Sequence, residues 1–175
     1  MGVDKAGVIV AGEPLWRRQL ALLRAVNPDE LLVSCRPGSG YFDSEQNIIL
    51  IHDTVLDLGP LGGIAAVLQK ARFDFILVLA IDLPLITAQF LFRLIAASNR
   101  HGKGIVPRDE EWYQPLAAIY PRACLPLIEK HLLGPDRSMQ YFVKAALHSG
   151  FVSEYPLAEA ERSLFKNLNT VADLF

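Results

Sequence analysis

Ile76-Leu77-Val78-Leu79-Ala80-Ile81-Asp82-Leu83-Pro84 is an apolar run that ends in a carboxylate and a proline. A run rich in Val, Ile and Leu fits a strand covered on both faces, as in a sheet with helices on either side. Pro84 stops further ladder pairing. Open α/β sheets place their ligands at the carboxyl ends of such strands. Asp82 therefore reads as a holder of a divalent metal against nucleotide phosphates. It reads equally as a turn or helix-cap residue, since Asp is common in both.

The flanking chain carries the same signals. The sequence has 175 residues, 51% of them hydrophobic and 21% charged, with a formal net charge of -2. That is an ordinary globular composition with room for one domain over residues 1–175. The near-neutral balance gives no general field for nucleic acid or an anionic membrane, so neither is expected as a partner. An anionic ligand must be met by a few placed cations, backbone N–H groups or a metal. Cys35 and Cys124 lie far apart, without metal-ligand spacing, and read as reduced thiols of a cytoplasmic protein. The opening Met1-Gly2-Val3-Asp4-Lys5 has no signal-peptide pattern, and no segment is long enough to span a bilayer.

Strands are expected at Val8–Ala11, Leu31–Val33, Ile48–Ile51, Ile105-Val106, Leu116–Tyr120 and Phe151-Val152, besides the opening run. Helices are expected from Pro14 to Asn27, Ile64 to Ala71, Thr87 to Asn99, Leu125 to His131 and Ser138 to Leu147. The first has an apolar stripe of Leu15, Leu20, Leu22, Leu23 and Val26, with arginines on its other side. Strands alternate with helices for two thirds of the chain. That predicts a three-layer α/β/α, Rossmann-like fold with a mostly parallel sheet.

Several residues could do chemistry, and each has a plainer reading. Gly59-Pro60-Leu61-Gly62-Gly63 is expected as a loop before a helix. Glycines there would let a ligand approach the backbone, or would serve packing alone. Asp53 follows a strand as Asp82 does; it could bond a nucleobase or ribose, or close an Asx-turn. Lys5 could neutralise phosphates as a point charge, or be solvated. Gln114 enters a strand after a charged loop and offers donor and acceptor. Asn167 and Asn169 alternate, so in extended chain they face one way. The four histidines are scattered, and no Ser-His-Asp or Cys-His order supports a covalent hydrolase.

Taken together, six motifs resemble one family in order and register. They are Met1-Gly2-Val3-Asp4-Lys5, Gly12-Glu13-Pro14-Leu15, Gly59–Gly63, Asp82-Leu83-Pro84, Gln114–Tyr120 and Asn167-Leu168-Asn169-Thr170. The family is the molybdenum cofactor guanylyltransferases, also called molybdopterin-guanine dinucleotide biosynthesis protein A. The resemblance implies the nucleotide-diphospho-sugar-transferase-like fold and transfer of GMP from GTP to molybdenum-molybdopterin, with Mg²⁺. It implies that Lys5 contacts the GTP phosphates and that Asp82 ligates Mg²⁺. Ser34 and Asp53 would help hold guanosine, and Gly59, Pro60, Leu61, Gly62 and Gly63 would line the base pocket. Gln114, Asn167 and Asn169 would lie toward the pterin. Molybdoenzyme maturation proteins and a second copy of the chain are the implied partners. A related cytidylyl- or sugar-phosphate transferase, or a non-catalytic nucleotide-binding protein, are the alternatives.

One departure stands out. The family's pattern carries a first strand and a Leu-Ala-Gly-Gly-x-Ser-x-Arg loop ahead of Met-Gly-x-Asp-Lys, and this sequence begins at Met1. The expectation is weak or absent transfer activity. A sheet repaired by a rearranged N-terminal arm or by a partner subunit is also expected, since open strand edges leave backbone groups unpaired.

Overall fold

Side-chain alternation along the strands sorts apolar residues into two helical layers. The computed structural model describes residues 5–35, 38, 40–42, 45–52 and 58–166. In chain order the elements are β1 (Ile9–Val10), β2 (Glu13–Pro14), α1 (Leu15–Ala25), β3 (Leu32–Cys35), β4 (Ile49–His52), α2 (Gly59–Lys70), β5 (Phe75–Leu79) and α3 (Ala88–His101). There follow β6 (Gly104–Arg108), β7 (Ala117–Pro121), α4 (Leu125–Leu132), α5 (Met139–His148), β8 (Val152–Pro156) and α6 (Glu159–Arg162). None of these helices is long and apolar enough to cross a membrane.

Ile76, Val78, Val106, Ala118 and Tyr120 face one layer, where they meet α2, α4 and α5 through Leu61, Ile64, Leu68, Ile128, Phe142 and Val143. Leu77, Leu79, Ile105, Ala117 and Ile119 face the other, against Phe90, Leu91 and Leu94 of α3, Leu22 of α1 and Val26 just beyond its end. Phe90 is fully buried, with edge-to-face rings at 6.0 Å from Tyr155 and 5.3 Å from Phe165. This is the three-layer α/β/α arrangement expected.

The main sheet runs β5-β7-β6-β8, and β3 pairs with β4 in a separate two-stranded piece. β3 and β4 are parallel, as are β6 and β8. β7 is antiparallel to both β5 and β6, so the sheet is mixed. The cause is the short 109–116 connection between β6 and β7, with its Arg108–Tyr113 bridge. A parallel crossover needs a dozen residues or more.

Among the described residues, the N-terminal arm pairs with itself and not with the main sheet. Ile9 and Val10 pair antiparallel with Pro14 and Glu13, through a turn in which Ala11 (φ 51°) and Gly12 (φ 85°) are left-handed. A two-residue turn with both positions at positive φ suits a tight hairpin and holds the arm to itself. Among the described residues, nothing pairs with β5 on the side away from β7. Burial records the consequence. β7 is buried at all five positions, whereas Ile76 to Leu79 of β5 are only half-buried despite helices on both faces.

Local signals place the helix ends. Thr87 Oγ1 accepts from Phe90 N–H at 3.2 Å, and Ser138 Oγ accepts from Tyr141 N–H at 3.2 Å, as N-caps do. Gly102 closes α3 at φ 62°, the left-handed position that favours glycine. One boundary differs from expectation. Gly59–Gly63 is not a loop before a helix at Ile64, but the opening of α2 itself, with Pro60 in the first turn. Proline fits there because its missing N–H would have no intrahelical partner and its φ is already helical.

Candidate functional site

The polar groups at the end of β5 are positioned by apolar packing on either side. Leu83, Pro84 and Ile86 are buried below the turn that follows the strand. Ile81 packs beside Ala6 and Cys35 in the cluster around Trp16, Leu20 and Phe42. That cluster draws together the carboxyl ends of β3 and β5 and the 3-10 turn Lys5–Gly7. Between these apolar anchors Asp82 is left with a side chain 25% exposed, facing Lys5 Nζ at 3.3 Å. Residues 77 positions apart thus meet at one point.

Two opposite unit charges at that distance, partly open to water, neutralise each other at little energetic gain; exposed pairs are worth about 0–1 kcal/mol. The arrangement is therefore poor as a stability device. It does place a hard oxygen ligand and a mobile ammonium side by side, which suits a metal-bound polyphosphate. Among the described residues no group of three or more His, Cys, Asp or Glu could enclose a metal. Mg²⁺ fits such a site, because it takes one or two carboxylates and completes its shell with water and substrate phosphates.

The turn that carries Asp82 is also held from α1. Gln19 is buried, 4% exposed, and its Nε2 donates to Ala80 O at 3.1 Å and to Leu83 O at 2.9 Å. Sequence reading passed over this residue. Its signal was a glutamine four residues after Leu15, inside an otherwise apolar stripe.

The first turn of α2 has no side-chain cap, so its leading N–H groups have no intrahelical partner. Two glycines here have local reasons. Gly59 is left-handed, and a Cβ on Gly62 would lie 2.5 Å from Leu58 Cβ. The packing reading therefore accounts for Gly62 without a ligand. Ser34 is exposed in β3, and its neighbour Cys35 stands opposite His52, with Sγ 3.8 Å from Nδ1.

Gln114 lies at the same end of the sheet, since Ala80 N–H donates to Leu116 O at 2.7 Å. Its amide does not face open solvent as a free donor. Nε2 donates to Asp109 Oδ2 at 3.0 Å. The N–H groups of Trp112 and Glu111 also bond Asp109, and that of Trp112 does most to hold its carboxyl below the ordinary range. Asp53, Asn167 and Asn169 lie outside the described residues.

The two thiols differ in environment. Both are free. Burial disfavours the thiolate of Cys124 and pushes its pKa up to about 12, so it stays protonated and inert at neutral pH. One thiol per folded chain is expected to react rapidly with dithiobisnitrobenzoate, and two in denaturant. Cys35→Ser should remove the fast reaction; two fast thiols in the folded chain would contradict the burial of Cys124.

The pattern of the MobA-like NTP transferase domain matches residues 1–149. The chain belongs to that family. A probable molybdenum cofactor guanylyltransferase of Opitutus terrae is 35% identical over 176 residues, covering 99% of this chain and 86% of the relative. A molybdenum cofactor guanylyltransferase of Pseudomonas putida is 31% identical over 172 residues, covering 97% and 85%. Among solved structures, the molybdopterin-guanine dinucleotide biosynthesis protein A of Archaeoglobus fulgidus superposes with a TM-score of 0.77 at 24% identity, covering 99% of this chain and 88% of that one. The 2-C-methyl-D-erythritol 4-phosphate cytidylyltransferase of Thermus thermophilus superposes at 0.71 with 17% identity, covering 97% and 90%. These place the chain in the nucleotide-diphospho-sugar-transferase fold. The chain is a nucleotidyltransferase similar to the molybdenum cofactor guanylyltransferases.

Proposed function

We propose that the chain transfers GMP from GTP to molybdenum-molybdopterin, giving the guanine dinucleotide form of the molybdenum cofactor and pyrophosphate. The observation that carries this reading is the Lys5–Asp82 pair at the end of β5, in a family whose named relatives carry that activity. A terminal phosphate oxygen of the pterin attacks the α-phosphorus of GTP. One P–O bond forms, the α–β bridge bond breaks, and no covalent enzyme intermediate is needed. Two anions must meet, so the site has to offset their repulsion.

Lys5 supplies a point charge to the phosphates once it swings from Asp82. Asp82 holds Mg²⁺, which when bound offsets charge on the transferring and leaving phosphoryl groups. The unpaired N–H groups at the start of α2, from Gly59 and Leu61, face an anion or a base edge; Pro60 shapes that turn but has no N–H to offer, and Gly62 and Gly63 line it without side chains. Ser34 and Asp53 hold guanosine. Gln114, Asn167 and Asn169 lie toward the pterin, with Gln114 oriented by Asp109. The setting is the cytoplasm, where molybdoenzyme maturation proteins receive the product.

The site stands beside strand edges that have no partner among the described residues; Gln19 holds the Asp82 turn, but the β5 edge itself has no second ladder to hold it. Turnover of the 175-residue chain is expected to be slow, with GTP preferred over CTP. Pyrophosphate release measured with each nucleotide, Mg²⁺ and molybdopterin checks both points. Preference for CTP would replace the guanylyl reading. Absence of binding to either nucleotide would leave a scaffold without this chemistry.

A further inference from the structure

We infer that Gln19 is a positioning residue that sets the Asp82 carboxylate for the metal. This rests on the reading of Asp82 as the Mg²⁺ ligand. β5 ends at Leu79, so the backbone beyond it loses the regular ladder that would orient it. Ala80 keeps one strand-like bond, through its N–H to Leu116 O. The carbonyls of Ala80 and Leu83 point instead toward α1, where the amide of Gln19 meets both, with Ile81 O as a third, longer acceptor at 3.5 Å. The two carbonyls flank Ile81 and Asp82, so a single side chain fixes both ends of the turn that carries the carboxylate. The orientation of the amide follows from chemistry. The reverse placement would set Oε1 against two carbonyl oxygens, with no donor between them.

Stability alone is a weak reason for this residue. Gln19 occupies the apolar face of α1 beside Leu15, Trp16 and Leu20, and its Oε1 is buried with no partner among the described residues. Burying an amide with one atom unsatisfied costs free energy that an apolar side chain would not incur. What the glutamine supplies, and a leucine cannot, is a defined path for residues 80–83. A metal ligand displaced by about an ångström loses much of its effect, so a rigid second support for Asp82 has a use in this site.

Gln19→Met keeps length and volume while removing both donors. Mg²⁺ titrations of GTP binding by calorimetry are expected to show its half-saturating Mg²⁺ raised at least fivefold. GTP binding without metal should stay within twofold of the natural chain. Gln19→Asn, too short to span both carbonyls, is expected to fall between. Asp82→Asn, run in parallel, separates the two ideas. If Asp82→Asn raises the Mg²⁺ requirement and Gln19→Met does not, the positioning role is wrong and the metal reading survives. If Asp82→Asn changes nothing, the metal reading itself fails. Equal weakening with and without Mg²⁺ in Gln19→Met would mark a merely structural role and also overturn the inference. Should both Gln19 variants fail to fold, side-chain amide exchange in the unaltered chain decides. Slow exchange of both Gln19 Nε2 protons, with couplings to the carbonyl carbons of Ala80 and Leu83, is expected; fast exchange would refute the staple.

Discussion

Gly104→Ala is expected to destabilise the fold by about 3 kcal/mol, at the upper end of what overpacking costs. A Cβ at Gly104 would lie 2.5 Å from Ile119 O, 2.8 Å from Pro121 Cδ and 2.8 Å from Val152 Cγ1. One of these is backbone, one is a ring locked by its own φ, and one is the branch of a stiff β-branched side chain. None can swing away as the end of a long side chain would. The position lies where β6 is held between β7 and β8, so relief would need the three strands to part. For a domain of this size about 3 kcal/mol corresponds to a fall in Tm of roughly 6–12 °C. Calorimetry of the variant checks this, with Gly102→Ala as control. Gly102 has φ +62° and nothing within 4 Å of an added Cβ, so only the left-handed strain of about 1–2 kcal/mol applies. A Gly104→Ala transition as high as that of Gly102→Ala would show that the strands yield more readily than their packing implies.

Asp82→Ala should leave the fold intact and remove function. The pair it forms with Lys5 is half open to water, side chains being 25% and 44% exposed, so its loss should cost at most about 1 kcal/mol. Guanylyl transfer, in contrast, is expected to fall by about 10² or more, the scale on which single electrostatic contributors to a charged transition state act. Lys5→Ala should weaken GTP binding through the phosphates. The double variant should fall short of the summed single effects, because each residue acts on the same charge and the pair is in contact. Pyrophosphate release across a Mg²⁺ titration, alongside thermal unfolding, measures both sides. An Asp82→Ala chain with undiminished Mg²⁺-dependent transfer would end the role given to that carboxylate, and a large drop in Tm would recast it as structural.

The candidate site was proposed from motifs that are local. Glycine-rich turns, Asp82-Leu83-Pro84 and the Gln114–Tyr120 segment are each set by neighbours a few residues away. Their order along the chain was enough to point to the family that the MobA-like match over residues 1–149 then showed. Gln19 was not legible. A glutamine in an amphipathic helix is ordinarily a solvated or boundary residue, and its partners at Ala80 and Leu83 lie 61 and 64 positions away. The Gly59–Gly63 segment was misplaced by one element, because consecutive glycines read as loop while Pro60 at a helix start reads as helix. Only the packing of Leu61 against the sheet, fully buried, settles that contest.

By itself the sequence determined the layers: apolar runs had to be strands covered on both sides, and striped segments had to be the helices covering them, since no other placement buries those side chains. It determined the helix starts at Thr87 and Ser138, where one side chain satisfies the backbone, but stopped the first of these helices at Asn99, short of the Gly102 cap. The tertiary structure alone decided that β7 sits between β5 and β6, that β5 keeps one edge unpaired among the described residues, and that Lys5, Gln19 and Asp82 converge. Those outcomes depend on contacts between distant segments, whose geometry exists only once the chain has closed around its core.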